Sequence, residues 1–388
     1  MRRSLRILLA AQAALALVGG GGRGVAVDVE DADRAALLRE ALDGLEGDDD
    51  VDLRVAVLGE LALALVLTDA KDERDALTQR CLREARGSNN ADGLAVALQA
   101  RRVALMGPAG TVARVADGRE ALALPPREVA PERRLAAELG LVEDLIELGD
   151  RAGADTALRH ARALADELGH PYSSWATTSW RGLVSIIDGR FDEAETLAFE
   201  ALAHQAPAEH PEALAALGVN LVDIRLFQGR AGEMVELLTT AAEENPHIPT
   251  YRAVLALCCA HSGALDRARD TFEQLAARDF VLPDDSNWLL AIAVLADTAA
   301  MLGDCDRARP LIHLLEPYCE RHVVLNCFGG GGAYWGPVAH HVGCLEAMLG
   351  RPRHARALLE RAVEAAEAMG SGPFAARSRE MLSSLADR

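Results

Sequence analysis

The amino-acid sequence predicts an all-α solenoid built from repeated helical hairpins. A glycine recurs at positions 149, 189, 229, 263, 303 and 350, and in five of these six cases an alanine follows five residues later. Alanine and leucine dominate a composition that is 50% hydrophobic and only 4% aromatic, and neither residue loses much rotamer freedom in a helix. Such a long-period repeat indicates units that bury their apolar faces by stacking on neighbours.

The N-terminal residues 1–30 are predicted to be a flexible lead. Three arginines within the first six residues precede an apolar run from Ile7 to Val18, which has the length and flanks of a signal-peptide core. The run continues into Gly19–Gly22 without a clear cleavage site, so an exposed remnant of an upstream helix is the alternative. No other stretch reaches the roughly 20 apolar residues that a membrane span requires.

The next segment, residues 31–124, is predicted to be helical with blurred repeats. Leu58, Leu61 and Leu65 fall on one helical face. Pro125 and Pro126 then interrupt the pattern, because consecutive prolines cannot continue a helix and also restrict the residue before them. We therefore predict a joint here, between divergent helical repeats and a second set of repeats in residues 131–388.

The pattern is clearest in residues 131–388. The recurring glycines lie 40, 40, 34, 40 and 47 residues apart, which leaves room for two helices in each interval. Each glycine follows an apolar stretch, where a left-handed residue commonly ends a helix. The alanine beyond it is expected where two helices approach closely.

These positions resemble the tetratricopeptide repeat, which has small residues at matching positions in its two helices. The resemblance implies a right-handed superhelix of tetratricopeptide-like hairpins with a concave groove. Pro246 also falls where the repeat usually closes. Three units carry the pattern in order: Gly182, Gly189, Ala194 and Ala201; Gly343, Gly350, Ala355 and Ala362; and Ala296, Gly303 and Ala308.

A narrower resemblance is to the C-terminal repeat region of actinobacterial AAA-type ATPases, LuxR-type transcriptional regulators and cyclase-fused signalling ATPases. Three stretches carry it: Arg101–Pro108 (RRVALMGP), Asp285–Leu289 (DSNWL) and Gly331–Leu349 (GGAYWGPVAHHVGCLEAML). The chain has neither a G-x-x-x-x-G-K-[ST] loop nor a recognisable LuxR-type helix-turn-helix. The resemblance thus implies the sensor or scaffold part of such a regulator, with the ATPase or regulator domain in trans. A truncated regulator is the alternative.

The resemblance also implies which residues line the groove. The family places groove residues at fixed offsets before the glycine, and most of these positions are apolar or small here. The polar exceptions predict a groove that accepts a peptide with basic and apolar side chains, although a solvated helical face would show the same residues. They are Glu143, Glu147, Asp223, His261, Asp297 and His340.

One segment has spacing typical of a metal site. Cys319-x-x-His322 and His341-x-x-Cys344 would each place two ligands on one helical face, as tetrahedral zinc could use. Buried thiols and half-exposed histidines are the ordinary interpretation. Gly329–Gly332 is predicted to be a flexible interhelical loop, because the lysine or serine of a phosphate-binding loop does not follow it. The four tryptophans are predicted to be core residues.

Charge and composition set the functional class. Forty basic and fifty-nine acidic residues give a net charge of −19, which disfavours direct nucleic-acid binding. Seven cysteines, an odd number, favour a reducing, cytoplasmic location. No catalytic motif stands out. The sequence thus predicts a non-catalytic scaffold without cofactors that binds a peptide or protein partner, and a zinc-dependent protein is the alternative.

Overall fold

A computed structural model describes residues 32–45, 50–66, 70–205, 211–327 and 329–386. The apolar run from Ile7 to Val18 and the predicted lead lie outside these residues. The described chain contains eighteen α-helices and one antiparallel pair of strands. The predicted all-α solenoid of tetratricopeptide-like hairpins is confirmed, with that strand pair as an addition. Among the described helices, none is both long enough and apolar enough to cross a membrane.

Within the described residues, five α-helices precede the proline pair. They are α1 (Ala32–Gly44), α2 (Val51–Ala64), α3 (Lys71–Gly87), α4 (Ala91–Ala104) and α5 (Thr111–Ala123).

Six helical pairs and a closing helix follow the prolines, and we call them the shell. They are α6 (Pro131–Glu147), α7 (Arg151–Leu168), α8 (Pro171–Ile187), α9 (Phe191–Ala203), α10 (Pro211–Phe227), α11 (Val235–Glu244), α12 (Pro249–His261), α13 (Leu265–Ala276), α14 (Trp288–Leu302), α15 (Cys305–Leu315), α16 (Val338–Met348), α17 (Pro352–Ala368) and α18 (Gly372–Ala386). The strands β1 (His322–Cys327) and β2 (Gly330–Pro337) lie between α15 and α16.

The six recurring glycines end the first helix of each shell pair. All six are left-handed, with φ between +68° and +82°. The backbone N–H after each glycine donates to the carbonyl five residues earlier at 2.7–3.0 Å, as Asp150 does to Leu145. This hydrogen bond satisfies a carbonyl at the helix end that would otherwise lack a partner. Gly370, with φ of +73° and the buried Ala375 five residues later, adds a seventh turn of this kind.

The alanines that follow the glycines lie in the helix contacts, as predicted. Each is at most 2% exposed, and a larger side chain there would push neighbouring helices apart. They are Ala154, Ala194, Ala268, Ala308 and Ala355.

The apolar core has two parts. One cluster runs from Ala35 to Ala97 and the other from Val115 to Ala375, so the division falls between α4 and α5. Pro125 lies later, in the turn between α5 and α6, and these two helices pack against each other. The proline pair and the division of the core therefore do not coincide.

The strand pair, which we call the inner hairpin, occupies the inside of the shell. It packs against α6, α8, α10 and α14, and every residue of β2 is buried. The helix α18 closes over it by contacting both α8 and β2. Arg151 in α7 also donates to the carbonyl of Met369, 2.9 Å away and 218 positions later in the chain. The inner face is therefore covered rather than open, in contrast to the exposed groove that the resemblance implied.

The prediction of a flexible loop at Gly329–Gly332 is wrong for its later part, because Gly330 already belongs to β2. The cause is the close packing of this strand on α8. A Cβ on Gly331 would lie 2.9 Å from both the Ser179 carbonyl oxygen and the Trp180 Cα, so no larger residue fits without displacing the strand. The 47-residue interval between Gly303 and Gly350, the longest of the series, contains the insertion.

Candidate binding site on the inner wall

The candidate site is the surface of α6, α8, α10, α14 and α16 that faces the inner hairpin, and we call it the inner wall. Five of the six residues predicted to line a groove lie on these helices and are at most 7% exposed. The sixth, His261, ends α12 and is exposed. The five buried residues are Glu143, Glu147, Asp223, Asp297 and His340.

The middle of the inner wall binds the backbone of β2. In α10, Asp223 Oδ2 accepts a hydrogen bond from the Tyr334 backbone N–H at 2.8 Å. One turn earlier, the Asn220 side chain donates to the carbonyls of Gly331 and Gly332 at 3.1 and 2.5 Å. These contacts involve main-chain groups, which any extended polypeptide would supply.

Helix α8 contributes two further donors to this strand. The Ser179 hydroxyl donates to the Gly331 carbonyl at 2.7 Å, and the Trp180 indole N–H donates to the Gly329 carbonyl at 2.9 Å. Trp175, Trp180 and Trp335 are buried and Trp288 is partly buried, as expected for core residues.

A carboxylate and a guanidinium hold the Trp335 side chain between them. The indole N–H donates to Asp297 Oδ2 at 2.8 Å, and Arg377 donates to the same oxygen at 3.0 Å. The Arg377 guanidinium lies 4.8 Å from the centre of the indole ring, within cation–π range. Phe374 completes the aromatic cluster, with its ring centroid 4.8 Å from that of Tyr334.

The charge state of Asp297 follows from these neighbours. Burial acts to raise the pKa of this carboxyl, but its close contacts with His341 and the Arg377 guanidinium hold that pKa well below its usual range. His341 Nδ1 lies 2.6 Å from Asp297 Oδ1. Asp297 is therefore an ionised acceptor at neutral pH.

The α6 end of the inner wall is a buried ionic cluster. Asn326 of β1 donates to Glu143 Oε2 at 3.1 Å, and Arg321, just before β1, donates to Glu147 Oε1 at 3.3 Å. From the opposite side, Arg114 of α5 reaches Glu147 at 3.1 Å. Arg114 also pairs with Asp144 at 2.7 Å, so the cluster ties the inner hairpin to α5 through α6.

Burial changes the acidity of two inner-wall carboxyls. It raises the pKa of Asp223 to about 8, although the Tyr334 N–H and the charge of Arg377 oppose the change. It also raises the pKa of Glu147 to about 7, against the charges of Arg114 and Arg321. The inner hairpin covers Asp223, so its presence disfavours the ionised form of this carboxyl.

His340 faces away from this set of contacts. Its Nδ1 lies 2.9 Å from the hydroxyl of Ser378 in α18, and its Nε2 lies 3.6 Å from Cys344 Sγ. Burial lowers the pKa of His340 well below its ordinary value, so the ring is neutral at pH 7.

The zinc alternative lacks the helical geometry that its spacing suggested for one of the two pairs. Cys319 follows a short 3₁₀ turn and His322 begins β1, so only His341 and Cys344 share a helix. Both His341 nitrogens already have partners, Asp297 and, at 3.2 Å, the Trp335 carbonyl. Within the described ranges, no three His, Cys, Asp or Glu side chains are grouped for metal binding.

Sequence reasoning missed the residues that contact the hairpin from α18. Arg377 and Phe374 both reach Trp335 or Tyr334 across the ring of helices. The signal that could have indicated α18 is the pair Gly370 and Ala375, which repeats the spacing of the other turns.

Comparisons with known proteins bear on the fold. No family model and no curated protein matches the chain. The crystal structure of a Rap protein complexed with competence and sporulation factor is similar over 98% of both chains, with a TM-score of 0.58 and 12% identity. Yeast Tom70 matches with a TM-score of 0.44 and 10% identity, over 92% of this chain and 88% of Tom70. A human IFIT1 dimer with PPP-AAAA matches with a TM-score of 0.46 and 14% identity, over 86% and 79%. The likeness to the Rap protein supports a tetratricopeptide-like helical repeat fold for this chain.

Proposed function

We propose that this chain is a non-catalytic interaction scaffold that binds a peptide or protein partner on its inner wall. One observation carries the proposal: the inner wall already binds a polypeptide strand through its main chain. Asn220 and Asp223 pair with carbonyl and N–H groups of β2, and Ser179 adds a third such contact. Recognition of an extended segment by such hydrogen bonds, with pockets for its side chains, is a recurrent mode of peptide binding.

The chemistry of the inner wall suits a protein partner. Its carboxylates accept from guanidinium, indole and amide donors, as Asp297 does from Trp335 and Arg377. The net charge of −19 disfavours nucleic acid as the direct ligand. The Rap protein of similar fold was crystallised with competence and sporulation factor, which is consistent with a factor-binding role for a ring of this shape.

A cytoplasmic location forms part of this proposal. The six cysteines whose side chains are described are all free, and Cys81, Cys258, Cys259 and Cys344 are buried. Burial raises the pKa of the Cys258 thiol to about 12, so this group is an inert apolar side chain rather than a nucleophile.

Photo-crosslinking would test the proposed site. A benzophenone amino acid is placed at His261, which is exposed at the end of α12 and lies beside the inner wall, within electrostatic range of Asp297 and Arg377. In a matched variant it is placed at Phe199, which is 50% exposed on α9. The proteins are expressed in the native host, irradiated and purified. We expect one partner to crosslink from position 261 and not from position 199. Crosslinks from position 199 alone would place the interaction outside the inner wall and refute the proposal.

A second candidate is that the chain works with an ATPase or DNA-binding regulator in trans, as its narrower sequence resemblance suggests. One of the stretches that carry this resemblance lies close to the start of another, because Gly107 packs against the Asp284 side chain, which directly precedes the stretch from Asp285. The third stretch supplies β2. Addition of the purified chain to an ATPase encoded beside it should change the rate of ATP hydrolysis. An unchanged rate would remove this candidate.

A further inference from the structure

The shell has closing contacts of its own that do not involve the inner hairpin. The hairpin is an insertion between α15 and α16, and these two helices contact each other directly. On the far side, α18 reaches α7 and α8 through its own residues and those just before it, including Pro373 against Gly189 and the bond from Arg151 to Met369. A shell without the docked hairpin would keep these contacts and expose the inner wall.

The hydrogen bonds to the backbone of β2 are ones that another chain could make. Asp223, Asn220 and Ser179 bind its main-chain groups, so they accept any segment with the same extended backbone. Docking also covers Asp223, and desolvation of this carboxyl group opposes it.

The side chains of β2 define what a replacing segment must carry. Gly330 and Gly331 face α8, where a Cβ would come within 3.1 and 2.9 Å of neighbouring atoms, so only very small residues fit. Further along β2, the indole N–H of Trp335 donates a hydrogen bond to the ionised Asp297. Tyr334 is completely buried, and its hydroxyl lies 2.8 Å from His322 Nδ1.

We infer that the inner hairpin is an exchangeable occupant of the inner wall, and that the partner's binding segment is an extended stretch with glycines followed by aromatic hydrogen-bond donors. This inference rests on the proposed function. It names the class of ligand and explains why the site is covered in the free chain. The partner and the hairpin compete for Asp223, Asn220 and Asp297.

A synthetic peptide probe with the sequence of residues 329–337 (GGGGAYWGP) tests the exchange. Its fluorescein-labelled form is titrated by anisotropy against the wild-type chain and against Gly331→Ala, a change that lies in the hairpin and leaves the inner wall intact. Gly87→Ala is the matched control, because a Cβ there meets no atom within 4 Å. The probe binds only chains whose hairpin is undocked. If Gly331→Ala raises the fraction of such chains tenfold, the probe should bind this variant about ten-fold more tightly than the wild type. The control variant should bind the probe with the affinity of the wild type.

Two further arms make the result decisive. A probe with the tryptophan replaced by alanine should lose most of its affinity, because it lacks the donor to Asp297. In the wild-type chain, excess probe should increase the hydrogen-exchange rate of the Tyr334 amide, because it displaces the hairpin. This measurement tests the inference even if Gly331→Ala does not fold. Faster exchange of β2 in Gly331→Ala without tighter probe binding would overturn the inference, as would an unchanged Tyr334 amide at saturating probe.

The two proposals can fail separately. A partner that crosslinks from position 261 while the probe fails to bind would leave the scaffold function in place and remove the exchange. Crosslinking from position 199 alone would remove the scaffold proposal whatever the probe does.

Discussion

The turn glycine Gly263 of the shell and the strand glycine Gly331 of the inner hairpin serve different physical purposes. At Gly263, φ is +82° and a Cβ would meet nothing within 4 Å, so only the backbone conformation requires glycine. At Gly331 the backbone is ordinary and the space is missing, because a Cβ would lie 2.9 Å from α8. Glycines that are required for a left-handed backbone recur with the repeat, so the sequence pattern predicts them. A glycine that is required because a distant helix leaves no space for a Cβ cannot be predicted from the local sequence.

The largest effect is expected at Gly336, where both requirements apply. Its φ is +86°, and any Cβ would overlap the ring of Phe374. Gly336→Ala should lower the free energy of unfolding by about 3 kcal/mol, measured by urea denaturation. Gly372→Ala, whose Cβ would enter open space, is the control. A loss under about 1 kcal/mol would mean that the Phe374 ring moves aside at little cost. Close packing would then not be what requires glycine in the inner hairpin.

Asp223 should make the stability of the hairpin region depend on pH. Its pKa is about 8 in the folded chain, whereas an unfolded aspartate titrates near about 4. The folded state therefore keeps a proton that the unfolded state releases, and stability falls as pH rises through this window. Relative to Asp223→Asn, the wild-type chain should lose on the order of 1 kcal/mol per pH unit between pH 5 and 8. Urea unfolding at several pH values measures this difference.

The side-chain amide of Asp223→Asn keeps an oxygen that can accept a hydrogen bond from the Tyr334 N–H. This variant therefore removes the titration of the carboxyl while it keeps the contact with β2. Parallel pH profiles for the two proteins would show that Asp223 is ionised under the hairpin. The pH dependence would then belong to other groups, such as Glu147.

A smaller effect is expected at Gly263, where only the conformation matters. Gly263→Ala should cost about 1 kcal/mol, since a left-handed residue with a Cβ is unfavourable by roughly 1–2 kcal/mol. Gly263→Asn should cost less, because asparagine adopts this conformation more readily. Thermal unfolding of both variants tests the order. Equal losses for the two variants would indicate a steric cause at Gly263. Gly263 and Gly331 would then require glycine for the same reason.

The smallest effect is expected at Lys71, the only lysine in the chain. Its amine lies 2.8 Å from Asp284, and both side chains are about half exposed. Exposed pairs of this kind contribute about 0–1 kcal/mol. Lys71→Ala should therefore change the free energy of unfolding by less than about 0.5 kcal/mol in 0.15 M salt. A larger loss would show that this pair, which joins α3 to the connection before α14, holds the ring closed.

The sequence predicted the shell well because its signals are local. A glycine at a helix end and an alanine five residues later describe one turn, and both roles are visible within a few residues, as at Gly350 and Ala355. The offsets of the repeat also placed four of the six predicted residues on the inner wall, and a fifth, His340, on one of its helices. That these residues bind an external partner remains a prediction.

The inner hairpin could not be predicted in the same way. Gly331 has its determining contact with Ser179, 152 positions earlier in the chain, and no local pattern encodes such a distance. Glycine is also uncommon within strands, so four in succession favour a loop. The β-branched pair at Val323 and Val324 and the long interval before Gly350 were the available signs.

The contact between Arg151 and Met369 has a consequence for how the chain comes apart. In an open array of repeats, each unit touches only its neighbours, so the ends can fray and partly folded forms can persist. Here α18 contacts α8 of the second pair, and Arg151 of the first pair bonds to Met369 just before α18, so the end of the shell is joined to its beginning. We expect the region from α6 to α18 to melt as one cooperative block, and to fold more slowly than a linear array of equal length, because its closing contacts join distant parts of the chain.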